Sequence, residues 1–333
     1  MTPLAPWQQR IHDQAAEALD AGRLPHALLF SGPEGIGKRR VAERLARRLL
    51  CEARVPPADA CGACRNCRLF DARHQMPSIE TRPDGRLAHP DGHSGHPDVR
   101  FVGFEWRDKP APPRMRTDIT IDQIRLMSEK LSLTPQYGDH LIAILDPADA
   151  LTHQAANALL KTLEEPQPGR FIWLVSAHPT RLPATIRSRT QVLDFRLPSH
   201  GEALDWLVSI GHAPDLAEEA LRASQGHPGL ADRWLAEGVL ALRREVAEAL
   251  TGLRPQSATA TAQQWAGDEQ LELRLAFAAD IALDAARAAG PGRARALAHW
   301  FDQANRTRAL LRSTVRLDLA VLELLLAWCA LPA

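Results

Sequence analysis

Of 333 residues only one is tyrosine, and eight tryptophans and eight phenylalanines bring the aromatic share to just 5%. That is little material for the stacking surfaces on which single-stranded nucleic acid is held. Net charge is lacking too, since 40 Lys and Arg face 40 Asp and Glu. No whole-chain field draws the protein to nucleic acid or membrane, so any such contact has to come from a local patch or a partner. There is no long apolar run. The most hydrophobic stretch, Leu317 to Ala330, is interrupted by Asp318 and Glu323 and is too short for a bilayer. Nothing at the start resembles a charged-then-apolar leader. Cysteine is nearly absent outside one place, with four of the five in residues 51–67. The expectation is a soluble cytoplasmic protein, in whose reducing surroundings such a cluster points to metal rather than disulfides.

What is present is ordinary globular material. Hydrophobic residues make up 45% and charged residues 24%, and the length suits two or three domains with cores of their own. Trp7, Ile11, Ala15 and Leu19 have helical spacing, with Gly22 as a stop. Ala27-Leu28-Leu29-Phe30, Leu141–Leu145, Phe171–Ser176 and Val192–Phe195 read as buried strands, and Val99–Val102 as a further candidate. Helical faces lie between them: Val41 to Leu50, Ile121/Ile124/Met127/Leu131 behind a cap at Thr120 or Asp118, and Ala155 to Leu163. Apolar strands alternating with helices predict an α/β fold, a mostly parallel sheet covered on both faces. Residues 76–117 are rich in Pro, Gly, His and charge and read largely as a surface insertion. After Pro198 the pattern turns wholly helical. Leu204, Trp206, Leu207, Leu216, Ala220 and Leu221 fit a small helical lid ending near Gly238, and long helices follow. The last presents Leu311, Val315, Leu319, Leu322 and Leu326 at spacings of three and four, a stripe read first as core and second as a subunit interface.

Three stretches carry chemistry. Gly32-Pro33-Glu34-Gly35-Ile36-Gly37-Lys38-Arg39 follows a strand and opens a helix, the context of a phosphate-binding loop. Gly32, Gly35 and Gly37 let backbone amides face phosphate oxygens, and Lys38 is the cation of the pattern. Arg39 stands where a Ser or Thr hydroxyl should help hold Mg²⁺. Asp146, at the end of the 141–145 strand, is the expected metal-side carboxylate, but Pro147 stands where a Glu would polarise the attacking water. Two losses at the metal and water positions argue against hydrolysis. The loop is then a turn kept for packing, or a nucleotide site without turnover.

Cys51, Cys61, Cys64 and Cys67 are spaced C-x₉-C-x₂-C-x₂-C, which suits a closed structural Zn²⁺ site, with free thiols or a redox pair as the plain alternative. His74, His89, His93 and His96 read as solvated loop histidines, and Cys329 as a buried small residue. Asn157 to Pro166 is by chemistry alone a helix and its stop, and Ser188-Arg189-Thr190 an exposed Arg on a turn.

Those last two segments resemble a known family. Leu159-Leu160-Lys161-Thr162-Leu163-Glu164-Glu165-Pro166 and Ser188-Arg189 match signatures of the AAA+ clamp-loader subunits of bacterial DNA polymerase III. Gly22-Arg23-Leu24-Pro25-His26-Ala27-Leu28-Leu29, the four-cysteine module and His96-Pro97-Asp98 match as well, and a weaker likeness runs to the end of the chain. Thr190 replaces the family's Cys after Ser-Arg. Gly226-His227-Pro228-Gly229 lacks the nucleotide-sensing Arg of working members, a third loss beside Arg39 and Pro147. The losses set the chain with the non-hydrolysing subunits rather than with the ATP-hydrolysing tau/gamma. Residues 77–95 are an insertion against the family spacing.

The resemblance implies three domains: an AAA+ core with its zinc module over 1–195, a helical lid over 196–240 and a helical collar over 241–333. It implies a five-membered ring with tau/gamma and delta that loads the sliding clamp on primer–template DNA, part of a DNA-directed DNA polymerase (nucleotidyltransferase) assembly. It also implies that Arg189 acts as an arginine finger on a neighbouring tau/gamma ATP site, with the chain's own ATP/Mg²⁺ site not turning over. The alternatives are an active ATPase of the same fold and a zinc-dependent nucleic-acid-binding module.

Overall fold

The computed structural model describes residues 3–74, 92–107, 114–311 and 315–332. The chain divides into two compact units, one of residues 1–210 with 226–230 and one of 211–225 with 231–333. The first begins with α1 (Pro6–Asp20), β1 (Ala27–Ser31), α2 (Lys38–Leu50), α3 (Arg65–Asp71) and the two-residue strands β2 (Arg73–His74) and β3 (His93–Ser94). Next come β4 (Val99–Val102), a second short pair β5 (Trp106–Arg107) and β6 (Arg114–Met115), α4 (Ile121–Leu131) and β7 (Leu141–Leu145). It continues with α5 (His153–Glu164), β8 (Arg170–Ser176), α6 (Ala184–Arg187), β9 (Gln191–Asp194) and α7 (His200–Ser209).

Five strands form one parallel sheet in the order β4-β7-β8-β1-β9. The period of two along each strand sorts its side chains into separate cores. Leu28, Phe30, Ile142, Ile144, Trp173 and Val175 face the layer built by α1 and α2. Ala27, Leu29, Ala143, Leu145, Ile172 and Leu174 face α4 and α5. Buried on both sides, these strands read as continuous apolar runs rather than alternating ones. The helices start where local chemistry allows. Thr120, not Asp118, caps α4, its backbone N–H donating to Gln123 Oε1 at 2.9 Å. Thr152 Oγ1 accepts the Ala155 N–H at the head of α5. Trp206 of α7 packs edge-on against Trp7 of α1, with ring centroids 5.1 Å apart.

The His-Pro-Asp stretch is a joint. Asp98 is buried and its two carboxylate oxygens accept the Gln136 and Tyr137 N–H groups, each at 2.7 Å. Asn66 of α3 donates to the carbonyls of Leu50 and Tyr137, and the Arg65 guanidinium lies 3.9 Å over the Tyr137 ring. The cysteine module is thereby tied to the loop before β7. Two of the loop histidines are not solvated as expected: His93 and His96 are only 3% and 1% exposed. The antiparallel pairing of β2 with β3 returns the chain to the fold and carries them inward. His74 is exposed as expected, and His89 lies outside the described residues.

The second unit is helical: α8 (Pro214–Ala223), most of α9 (Pro228–Ala236), α10 (Leu240–Gly252), α11 (Ala258–Ala266), α12 (Leu271–Ala288), α13 (Pro291–Leu310) and α14 (Leu317–Cys329). Trp300 and Trp328 lie edge to face at 4.8 Å and donate to the carbonyls of Leu324 and Leu250. The terminal stripe is a correction. The buried residues of α14 are Val321, Leu324 and Leu325, while Leu319 and Leu326 are exposed. With leucines on nearly every side, the spacing alone could not choose the face, and packing against α11 and α13 chooses the other one. Leu216 is likewise exposed rather than core. Among the described residues, no helix is long and apolar enough to cross a membrane.

Asp98→Ala should cost about 3 kcal/mol, since it strips a charged acceptor from two backbone N–H groups at once. Denaturant unfolding of the full chain measures it, and a loss below about 0.5 kcal/mol would contradict the joint described here.

Candidate functional site

The glycine loop has the expected shape. Gly32, Gly35 and Gly37 all have positive φ, and Gly37, at φ 96°, caps α2 in the left-handed region that glycine tolerates best. Its interior is nonetheless committed to the protein. Lys38 is 6% exposed, and its ammonium donates to the carbonyls of Gly32 at 2.7 Å and Pro33 at 2.6 Å. Burial lowers the Lys38 pKa, against the pull of Asp146. From α1, Trp7 Nε1 and Gln8 Nε2 both donate to the Ile36 carbonyl, at 3.1 and 3.0 Å. The 226–230 segment closes in as well. A Cβ on Gly229 would meet the Gly35 carbonyl oxygen at 2.1 Å, so no side chain fits there, least of all an Arg.

Arg39, at the hydroxyl position, is a built-in cation. Its Nε donates to Glu43 Oε1 at 2.8 Å, its Nη2 lies 3.0 Å from His93 Nδ1, and its Nη1 is 3.8 Å from Asp146 Oδ2. The guanidinium sits 4.4 Å over the Phe101 ring. Burial by itself would raise the Glu43 pKa, but Arg39 and Arg73 outweigh it and hold the carboxyl below its ordinary value. Asp146 therefore faces a fixed positive charge. A second carboxylate that the sequence reading passed over, Asp149, accepts Ser176 Oγ at 2.6 Å and the Ala177 N–H at 3.1 Å, joining the ends of β7 and β8. Its only sequence signal is its place three residues after Asp146.

The four cysteines come together. The sulfurs of Cys51, Cys61, Cys64 and Cys67 lie within 4.8 Å of one another, with Cys61–Cys67 at 4.0 Å and Cys51–Cys64 at 3.9 Å. Tetrahedral thiolate coordination at 2.3 Å asks for sulfurs about 3.8 Å apart, so the set could hold a metal ion. The N–H groups of Ala63 and Cys64 on its sulfur bring the Cys61 thiol down to about 6, while burial pushes the Cys67 thiol up. Cys64 caps α3 and Cys51 ends α2, so an ion here would clasp two helices. Cys329, expected to be buried, is only partly buried in α14.

Arg189 lies elsewhere. It follows α6 and precedes β9, which runs parallel to β1 with Leu28 opposite Gln191 and Ser31 opposite Asp194. The glycine loop leaves the carboxyl end of β1, while Arg189 enters at the amino edge. At that edge the family-like segments meet. Arg189 Nη2 is 2.7 Å from Glu164 Oε1 at the end of α5, and Nη1 donates to the Thr185 carbonyl. His26 Nε2 lies 3.1 Å from the Leu163 carbonyl. Thr190 is buried and its hydroxyl donates back to the carbonyls of Ile186 and Arg187.

Restoring the hydroxyl with Arg39→Thr should not restore a nucleotide site. It should destabilise the fold by about 3 kcal/mol, since Glu43 keeps Arg73 but the cation beside Asp146 is lost. Thermal unfolding and Mg-ATP turnover of the isolated variant check this. A variant as stable as the parent, or one that hydrolyses ATP, would contradict it.

Similarity to known proteins is extensive. A family model described as "DNA polymerase III, delta subunit" matches residues 7–199. The DNA polymerase III delta prime subunit of Pseudomonas aeruginosa is 34% identical over 269 residues, covering 80% of this chain and 72% of that one. Its Escherichia coli counterpart is 30% identical over 287 residues, covering 84% and 75%. The fold is shared with a solved gamma-subunit-related DNA polymerase III protein of Thermotoga maritima, at 17% identity and a TM-score of 0.50 over 95% of this chain and 99% of that one. The chain belongs to the delta prime family of DNA polymerase III subunits.

Proposed function

We propose that this clamp-loader subunit acts on ATP only through a neighbour, presenting Arg189 to the ATP site of an adjacent tau/gamma subunit and hydrolysing none itself. The observation that carries the reading is the separation of the two sites along the sheet. The chain's own loop is filled at one edge by Lys38, Arg39 and the Gly229 backbone, and Arg189 is displayed at the other. A planar, permanently charged fork is suited to binding two phosphate oxygens while charge develops on the transferring group. Arg189 is more than a third exposed, as a side chain meant for another molecule must be. The ring would contain tau/gamma and delta, with the sliding clamp and primer–template DNA engaged by the whole assembly in the cytoplasm. The division into a core over 1–195, a lid over 196–240 and a collar over 241–333 is part of the same proposal.

Zinc is the metal that four thiolates in this arrangement suit. Cys51, Cys61, Cys64 and Cys67 would hold it with no position left for water, so its contribution would be to fix the module and not to take part in a reaction.

Two measurements test the proposal. In a reconstituted loader, Arg189→Ala should lower turnover at the adjacent ATP site by about 10³-fold or more. Clamp- and DNA-stimulated ATPase at undiminished rate would refute the finger. Metal analysis of protein purified without chelators should find about one zinc per chain, and none would refute the structural ion.

A further inference from the structure

The acid that holds Arg189 is oddly placed. Glu164 is the last residue of α5 and is followed by Glu165. The carboxyl end of a helix carries partial negative charge, where cations are favoured and acids are not. Nothing in helix formation asks for Glu164 at this point. It is answered instead from outside the helix by the Arg189 guanidinium, 2.7 Å away. The same guanidinium donates to the Thr185 carbonyl at 3.0 Å and Ser188 Oγ at 3.4 Å. All three acceptors belong to this chain and together fix which way the side chain extends from the turn.

The pair is also built to be given up. Its side chains are 38% and 49% exposed, and ion pairs at that exposure shift an equilibrium by no more than about fivefold. A triphosphate offers the guanidinium more charge and several oxygens in the geometry its fork prefers. Carboxylate and phosphate then compete for one cation.

Taking the in-trans role of Arg189 as its premise, we propose that Glu164 parks the finger. It is a positioning residue that keeps Arg189 extended at the amino edge of the sheet and releases it to the terminal phosphate of a nucleoside triphosphate held by the adjoining chain. A finger that must leave Glu164 lowers the apparent affinity of that site for triphosphate by the fraction of time it is parked. A diphosphate, which lacks the γ-phosphate, leaves it where it is.

The test uses assembled rings carrying this subunit as the parent, Glu164→Gln, Arg189→Ala or both, with equilibrium binding of ATPγS and of ADP at the adjacent site. Glu164→Gln should tighten ATPγS by up to about fivefold, the competing pair having been removed. It should leave ADP unchanged and should have no effect on ATPγS in the Arg189→Ala background. Unchanged ATPγS affinity in Glu164→Gln overturns the proposal. So does an equal change for ADP, or an equal change without Arg189, either of which marks Glu164 as merely structural. Failure of the premise looks different: an Arg189→Ala ring with parental turnover and parental ATPγS affinity removes the finger, and its parking with it.

Discussion

Parallel strand pairing has a direction, and the placement of the candidate site's charged groups follows from it. β1 is flanked by β8 and β9 in the same orientation, so one edge of the sheet collects strand ends and the other strand beginnings. The glycine loop, Asp146 and Ser176 are delivered to the first edge. Arg189, His26 and, because α5 carries the chain back across the sheet, Glu164 are delivered to the second. In sheets of this kind ligands ordinarily sit at the carboxyl ends of the strands. Here Lys38 and Arg39 are engaged by the chain's own groups at that edge, and the proposed working surface is the opposite one.

The closure is electrostatic as much as steric. A phosphate loop gathers backbone N–H groups and a lysine for an anion, and its metal carboxylate for a cation. This chain supplies both from within. Loop carbonyls take the Lys38 ammonium, and the Arg39 guanidinium answers Asp146 and Glu43. These charges link the glycine loop, α2, β3 and β4, with His93 and Phe101 as the contacts on the far side. Removing one member would leave a buried charge without its partner.

Much of this was legible in the sequence. Residues buried on both sides of a sheet have to be continuously apolar, so β1, β7 and β8 stood out, as did the cysteines, whose spacing is set by coordination geometry, whereas β9, expected to be buried, is an edge strand with Val192 exposed. Arg39 and Pro147 could be read as losses because a fixed motif defines what belongs there. Pairwise detail could not be read. Nothing local says that Arg39 will find Glu43 at i+4 and also His93 from 54 residues away, or that Glu164 and Arg189 will meet. His93 and His96 looked solvated because their neighbours are polar, yet a two-residue ladder draws them in. The face of α14 was misread because a helix apolar nearly all round carries no phase, and its neighbours settle it.

The most direct test of the proposal that this subunit serves another chain's nucleotide is the distance from its Arg189 guanidinium to the nearest terminal phosphate in the assembled ring. Imaged with a non-hydrolysable triphosphate, the ring should show that guanidinium within hydrogen-bonding reach of a phosphate held by the adjacent subunit, about 3 Å, with Lys38 still on its own loop carbonyls. Nucleotide bound in the 32–39 loop of this chain, with Arg189 facing no phosphate, would contradict it.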